Sequence, residues 1–313
     1  MKKLSALLFA LILVLSLSAC GSSTQTPIST DGDRQNPSQE ADTTQEEGNG
    51  DQSDPADTGQ VTIDSAVLFE QDGVIVTAQE LAEDSIWGMG IKVLIENNSE
   101  KNLTVQCNSL IVNNYMMDNT LLCSVAAGNK ANDTIYLSST ELEDAGISTI
   151  SDIVISFSAF DSDTYSTLFD TEEIEIKTSA YGTIEQPAMD DGKELYNQDG
   201  IRIIGRYVEE DSLWGAGVRL FIENNYGENI IVQCDNMSVN GFMITPLFAS
   251  TVNNGRMVLD EIIIMSSDLE ENGIEAVEDI ELVFKIVNPD TYRTIVETDP
   301  IAFTTKWKVL KNR

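Results

Sequence analysis

Histidine is absent from this 313-residue chain. Its absence excludes Ser-His-Asp and Cys-His catalytic machinery, zinc sites built on imidazole, and histidine general bases. Carboxylates remain as acid and base groups, and a glycosidase needs only a pair of them beside a sugar bond. None of the 52 acidic residues stands in a recognisable catalytic setting. We therefore predict no catalytic residue and no enzyme activity, and keep a carboxylate-dependent hydrolase as a remote alternative.

Basic residues are scarce, with 18 lysines and arginines against 52 aspartates and glutamates and a formal net charge of −34. Nucleic-acid binding depends on cationic side chains that neutralise phosphates, so the shortage of lysine and arginine argues against a nucleic-acid partner. The same shortage argues against contact with anionic lipid. A strongly acidic surface helps to keep a protein soluble, which is explanation enough for the charge. The C-terminal segment is the exception: the tail 309–313 and Lys306-Trp307-Lys308 either touch wall polymer or lipid or extend the last strand.

Cysteine is also rare, with four in the chain. Cys107 and Cys234 occupy equivalent positions among inward apolar residues, as buried free thiols do. A Cys107–Cys123 disulfide is one alternative. The second half of the chain could not form the equivalent bond, because the counterpart of Cys123 is Ser250. No disulfide framework is predicted.

Metal ligands are not arranged in any recognisable spacing either. Asp161-Ser162-Asp163 supplies some of the six to eight oxygens that calcium needs, but its counterpart is Asn288-Pro289-Asp290. Solvated turns explain these acids better. We expect no metal and no cofactor.

A secretion signal opens the chain. Residues 1–19 combine a basic start with an apolar run that is too short to span a membrane as a helix. The run ends in Leu17-Ser18-Ala19-Cys20-Gly21, which resembles the bacterial lipobox. That resemblance implies cleavage before Cys20, a diacylglycerol on its thiol, and anchoring to the outer face of the cell membrane. An ordinary signal peptide that happens to end in cysteine is the alternative.

The segment 20–60 changes composition abruptly, to Ser, Thr, Gln, Asn, Gly, Pro, Asp and Glu with no aromatic residue. Such a segment cannot bury enough apolar surface to offset its ordering entropy, which predicts a disordered acidic tether.

The rest of the chain contains an internal duplication, with two copies of one domain-sized unit. Trp87 and Trp214 sit in matching strings, Asp84-Ser85-Ile86-Trp87-Gly88-Met89-Gly90 and Asp211-Ser212-Leu213-Trp214-Gly215-Ala216-Gly217. Thirteen of the 24 residues from Asp84 to Cys107 recur 127 positions later. A repeat of this length is much longer than a solenoid repeat and has the size of a whole domain. We predict repeat 1 at 61–179, a linker at 180–194 and repeat 2 at 195–308, arranged as separate domains.

Within each repeat the apolar residues alternate. Ile91, Val93 and Ile95 are spaced by two, and Val218, Leu220 and Ile222 repeat the pattern. This period indicates half-buried strands, and a serine start with a glycine stop indicates one short helix in each copy. The fold class predicted is all-β, with two tandem immunoglobulin-like β-sandwich domains, each with one short helix, after a disordered linker.

The motifs also carry a family resemblance. Trp-Gly-x-Gly, a strand ending in Glu-Asn-Asn, and Val-Gln-Cys together resemble the immunoglobulin-like repeats of Gram-positive surface lipoproteins, over residues 63–305. The resemblance implies fold and location. It implies no chemistry, because no activity is assigned to those repeats.

The candidate ligand-binding residues are Asp84, Trp87, Asp211 and Trp214. The two tryptophans could present stacking platforms for a sugar or peptide, but we favour a structural role in which each plugs one end of its sandwich. The predicted function is a membrane-anchored display of two non-catalytic binding or adhesion domains for an unknown protein or glycan. The alternative is a structural or accessory envelope lipoprotein that contacts a membrane or secreted partner.

Overall fold

The computed structural model describes residues 61–84, 88–212 and 214–305, and for Asp84 and residues 210–212 it describes the backbone alone. The expectations for Cys20, the tether, Trp87 and the basic tail therefore lie outside the described residues. Within the described ranges, no helix is long and apolar enough to cross a membrane.

The described residues of repeat 1 form ten strands and one helix: β1 (Ala66–Gln71), β2 (Val74–Asp84), β3 (Gly88–Asn97), β4 (Leu103–Val112), β5 (Tyr115–Met117), β6 (Leu122–Val125), β7 (Lys130–Tyr136), α1 (Ser139–Asp144), β8 (Asp152–Asp161), β9 (Thr167–Asp170) and β10 (Ile174–Lys177).

Repeat 2 contains the same elements in the same order: β11 (Lys193–Gln198), β12 (Ile201–Ser212), β13 (Gly215–Asn224), β14 (Ile230–Val239), β15 (Phe242–Ile244), β16 (Ala249–Val252), β17 (Arg256–Met265), α2 (Ser266–Glu271), β18 (Asp279–Val287), β19 (Thr294–Glu297) and β20 (Ile301–Thr304).

Each repeat is a sandwich of two sheets. In repeat 1 one sheet has the order β1-β2-β3-β7 and the other has the order β10-β8-β4-β5, with β6 on β4 and β9 on β8. Repeat 2 follows the same plan, as β11-β12-β13-β17 and β15-β14-β18-β19. The chain crosses between sheets after the third, sixth and seventh strands of each repeat, as it does in immunoglobulin-like sandwiches. The predicted all-β class, with two immunoglobulin-like sandwiches and one short helix in each, is confirmed.

The alternating residues form the core, as predicted. Ile91, Val93 and Ile95 are fully buried in repeat 1, and their counterparts in β13 are fully buried in repeat 2. The β1–β2 hairpin turns at Asp72 and Gly73, both with positive φ. Such a two-residue turn matches the twist of the flanking strands, and its second position suits glycine.

The predicted helices are present and each ends before a glycine with positive φ, Gly146 and Gly273. Their starts differ. Ser138 caps α1 by accepting a hydrogen bond from the Glu141 amide at 3.3 Å, whereas α2 begins after Met265, whose side chain makes no capping hydrogen bond.

The two repeats share a sheet, a feature that the sequence does not predict. Strand β5 of repeat 1 pairs in parallel with β17 of repeat 2, with Tyr115 opposite Met257 and Met116 opposite Val258. The Tyr115 ring lies 6.2 Å from the ring of Phe221. Phe221 is buried within the core cluster of repeat 1, although it belongs to repeat 2.

Polar contacts surround this shared sheet. Arg256 donates to the Asn114 side chain at 2.8 Å and forms an ion pair with Glu173 at 2.9 Å. Arg206 donates to the Asp144 carbonyl at the end of α1, at 2.7 Å. The repeats therefore pack against each other through both apolar and charged contacts.

Candidate functional site

Of the four residues singled out as candidate ligand contacts, Trp214 is the one whose side chain the structure describes. It is 57% exposed. The favoured structural role, a plug for the end of the sandwich, is therefore wrong for this tryptophan. Trp87 and the side chains of Asp84 and Asp211 lie outside the described residues.

The glycines of the same motif do have structural roles. Gly215 has a φ of 139°, and a Cβ there would collide with the backbone of Ile264 and Ser266. A Cβ on Gly217 would collide with the side chain of Glu261. The motif thus fixes a tight strand start, while its tryptophan remains at the surface.

The loop between β8 and β9 holds a tyrosine in an uncommon conformation. The Asp161 carboxylate accepts the amides of Asp163 and Thr164, both at 3.0 Å. The Tyr165 amide then donates to the Asp161 carbonyl at 2.8 Å and closes the turn. Hydrogen bonds from backbone amides, that of Thr164 first, lower the pKa of Asp161. This acid therefore serves the turn.

Repeat 2 builds the same turn with an asparagine. The Asn288 side-chain oxygen accepts the amides of Asp290 and Thr291 at 3.1 and 2.9 Å. The Tyr292 amide donates to the Asn288 carbonyl at 2.9 Å.

Both loop-tip tyrosines are exposed and strained. Tyr165 and Tyr292 have φ values of 58° and 54°, in the left-handed region that bulky residues rarely adopt. They are 80% and 75% exposed, so neither side chain contributes packing in return. A glycine would fit the backbone here at lower cost, about 1 kcal/mol by the usual scale of such strain. The fold does not explain a tyrosine at either position.

Polar side chains belong to, or contact, the turn that holds each tyrosine. In repeat 1 Lys101 pairs with Asp161 at 3.4 Å, and Asn102 donates to Asp163 at 3.5 Å. In repeat 2 Arg293 pairs with Glu228 at 3.5 Å. Each loop therefore offers an aromatic face next to hydrogen-bonding groups of both charge signs, a combination that suits recognition of polar ligands with a stackable surface.

A second feature is a cleft of about 390 Å³ where the repeats meet. Its walls combine apolar side chains from β5 and β17 with six charged residues. They are Glu141 from α1, Arg219 and Glu261 from repeat 2, and the aspartates Asp118, Asp144 and Asp260. Glu261 Oε1 lies 4.0 Å from Arg219 Nε, too far for a hydrogen bond. Within the described residues, no group of three or more acidic or cysteine side chains is arranged to hold a metal ion.

Burial raises the pKa of two carboxyls in this cleft, those of Glu141 and Glu261. Burial, reinforced by Asp118, raises the pKa of Glu141 to about 7. Burial also raises the pKa of Glu261, against the opposing effect of Arg219. Both acids are thus displaced in the same direction, toward the neutral form.

Substitution of Glu141 by Gln should stabilise the protein at alkaline pH. The folded-state pKa lies above the unfolded value, so the folded state binds more protons between about pH 4.5 and 7, and the native glutamate loses stability as pH rises through that window. Because the side chain is half-buried, solvent screening reduces the gain to about 1 kcal/mol at pH 8. Urea unfolding at pH 4 and pH 8 measures it, with the exposed Glu143→Gln as control. An equal effect of Glu141→Gln at both pH values would contradict the assignment.

The three cysteines in the described part of the chain are all free and buried. The disulfide alternative between Cys107 and Cys123 is therefore not adopted. Burial raises the pKa of Cys107 and Cys234 to about 12 and that of Cys123 to about 11. A thiol reacts as its thiolate, so these residues act as small apolar side chains.

Sequence reasoning missed both the loop tyrosines and the cleft. The repeated Asp-Thr-Tyr string was visible, and an aspartate or asparagine four residues before a tyrosine is a signal for this turn. The string does not reveal that the tyrosine has positive φ. No signal in a single sequence places Glu141 and Glu261 in the same cleft.

No protein-family model and no curated protein matches the chain. Among solved structures it is similar to a Salmonella enterica SafA pilin in complex with the SafB chaperone, at 12% identity and a TM-score of 0.22, over 75% of this chain and 98% of that one. It is also similar to the YadV chaperone, at 10% identity and a TM-score of 0.22, over 74% of this chain and 100% of that one. At these values neither structure assigns a function or a partner to this chain.

Proposed function

We propose that this protein is a lipid-anchored, non-catalytic binding protein that acts outside the cytoplasmic membrane and contacts its ligand through the loop tips of its two repeats. The lipobox-like Cys20 supports the anchor, and the acidic composition of residues 20–60 supports a tether that projects the repeats.

The exposed tyrosines at Tyr165 and Tyr292 carry the proposal. A buried residue that occurs in both copies of a duplication is explained by the core that each copy needs. An exposed aromatic in a strained conformation has no such explanation, and strain of this kind concentrates at functional positions. Tyrosine is also a favoured interface residue, because it offers a large rigid surface and a hydroxyl at low entropic cost.

Two copies of the loop favour ligands with repeated epitopes. Each loop alone offers a small contact surface. Once one loop has bound, the other loop is held at a high effective concentration near the ligand, provided that the geometry lets both loops bind at once. A glycan polymer or a repetitive surface protein presents such epitopes, and tyrosine faces beside Asp163 and Asp290 suit either one.

The pKa shifts of Glu141 and Glu261 favour binding over a hydrolase that would use these two carboxyls as its acid and base. A general acid and a nucleophile or base need environments that push their two pKa values apart. Glu141 and Glu261 are both shifted upward by burial. These two carboxyls therefore lack the opposite pKa shifts that are typical of a paired general acid and base.

Double substitution of Tyr165 and Tyr292 by glycine should strongly weaken binding without unfolding the protein. We expect affinity to fall about 30-fold or more, the usual cost of truncating an aromatic hot spot. The unfolding free energy should stay within about 0.5 kcal/mol, because relief of strain offsets the added backbone freedom. The mature chain with Cys20→Ser, screened on glycan and peptide arrays and on intact cells, provides the binding signal.

The tyrosine-to-phenylalanine pair serves as the matched control, since it keeps the ring and removes the hydroxyl. Retained binding by the phenylalanine variant would assign the contact to the ring face. Unchanged binding by the glycine variant would disprove the proposed loops. A large loss of stability in that variant would show that the tyrosines serve the fold.

A further inference from the structure

Strand β15 of repeat 2 is an edge strand with an apolar exposed surface. It pairs on one side with β14 and ends its sheet among the described strands. Phe242 is 46% exposed and Met243 is 68% exposed. Natural edge strands are usually protected by charges, proline or a covering segment, and the three residues of β15 include neither a charge nor a proline.

The counterpart of β15 in repeat 1 shows how such a strand is covered. β5 pairs with β4 in the register that β15 keeps with β14, so Tyr115 corresponds to Phe242 and Met116 to Met243. The outer edge of β5 pairs in parallel with β17. Tyr115 is 2% exposed as a result.

The receiving strand also has a counterpart with an open edge. β17 of repeat 2 corresponds to β7 of repeat 1, which ends the sheet β1-β2-β3-β7 among the described strands. Lys130 and Ala131 of β7 stand where Met257 and Val258 receive β5. Within the described part of the chain, one molecule therefore has an open donor edge on repeat 2 and an open acceptor edge on repeat 1.

We propose that β15 of one copy of this chain pairs in parallel with β7 of a second copy, and so repeats between molecules the contact that joins the two repeats within one. Such a contact is heterologous, because two different surfaces meet. Each contact uses one donor edge and one acceptor edge, so the assembly keeps one free edge of each kind at its two ends and grows into linear chains of molecules. Closure into a two-copy complex is not expected.

The contact between copies should be weaker than the contact within the chain. The acceptor face of repeat 2 has Phe221 and Ile204 in buried positions. Repeat 1 has Leu94 and Thr77 at the corresponding positions, and these bury less apolar surface. Arg256, which pairs with Glu173, is replaced by Asn129. Association is therefore expected at high local concentration, as on a membrane surface.

Sedimentation velocity of the mature Cys20→Ser chain tests this directly. The weight-average mass should rise continuously with concentration, beyond that of two copies. Met243→Lys should weaken association at least about tenfold, because a charge would be desolvated at the contact. Leu122→Lys is the matched control, since Leu122 is an exposed apolar residue that lies on a different strand. Leu94→Phe should strengthen association about fivefold by restoring apolar area.

A mixed cross-link tests the register. The pairing within the chain, Met116 with Val258, places Met243 opposite Ala131 between copies. Neighbouring strands lie about 4.8 Å apart, which a disulfide can bridge. Copies carrying Met243→Cys and copies carrying Ala131→Cys should form mixed disulfides under mild oxidation, faster than copies carrying Met243→Cys and Leu122→Cys.

Three results would overturn the inference. The first is a protein that stays monomeric at several hundred micromolar in every variant. The second is association that stops at two copies. The third is association that Met243→Lys and Leu94→Phe leave unchanged.

Discussion

Replacement of Asn224 by alanine should lower the free energy of unfolding by about 3 kcal/mol, the cost of leaving several buried backbone groups without partners. The residue is fully buried at the end of β13. Its side-chain amide donates to the carbonyls of Glu228 and Val252, both at 2.9 Å, and its oxygen accepts the Tyr226 amide at 3.0 Å. One side chain thus satisfies three backbone groups in two loops.

Urea unfolding followed by circular dichroism measures the loss. Asn225→Ala is the control, because Asn225 is exposed and its side chain donates only to Glu223 in the described structure. That change should cost less than about 0.5 kcal/mol, as surface substitutions usually do. A loss below about 1 kcal/mol for Asn224→Ala would show that water replaces the side chain.

Asn97 has the same role in repeat 1, where its side chain forms hydrogen bonds with backbone groups. It is fully buried, and its side-chain amide donates to the carbonyls of Lys101 and Val125 at 2.8 and 2.9 Å. The repeated Glu-Asn-Asn string is therefore explained by its first asparagine. The sequence predicts that a strand ends at this string, which is correct, but composition alone does not separate a solvated residue at a strand end from a buried one.

Much of each sandwich follows from the sequence because strand periodicity is a local property. The alternation of Ile91, Val93 and Ile95 identifies one face of β3, and all three are buried. The helices follow from local signals as well, a serine near the start and Gly146 or Gly273 after the end. Where the fold depends on neighbours along the chain, the sequence is informative.

Contacts between the repeats could not be predicted, because they depend on the outer faces of the sheets. Period-two alternation places Phe221 on the outer face of β13, which the sequence assigns to solvent. The structure buries it beneath Tyr115. The loop tyrosines escaped prediction for a related reason: the positive φ and the exposure of Tyr165 are properties of the folded turn.

Replacement of Phe221 by alanine should destabilise the protein by about 3 kcal/mol and uncouple the repeats. The loss combines the removed apolar surface with the cavity left beside Tyr115 and Ile204. An ordinary core substitution weakens one sandwich, whereas this one removes contacts between two sandwiches. Each sandwich keeps its own core, so the two repeats should then unfold separately. Differential scanning calorimetry should show one cooperative transition in the native protein and two in the variant.

Leu94→Ala provides the matched control, since Leu94 is the counterpart of Phe221 and is only partly buried on the outer face of repeat 1. We expect about 1 kcal/mol or less and a single transition, because no second repeat within the chain covers that face. A single transition in Phe221→Ala as well would mean that the β5–β17 pairing and the Arg256 contacts suffice to couple the repeats. Two transitions already present in the native protein would mean that the shared sheet contributes little, and the same pairing between β15 and β7 of separate copies would then lose its physical basis.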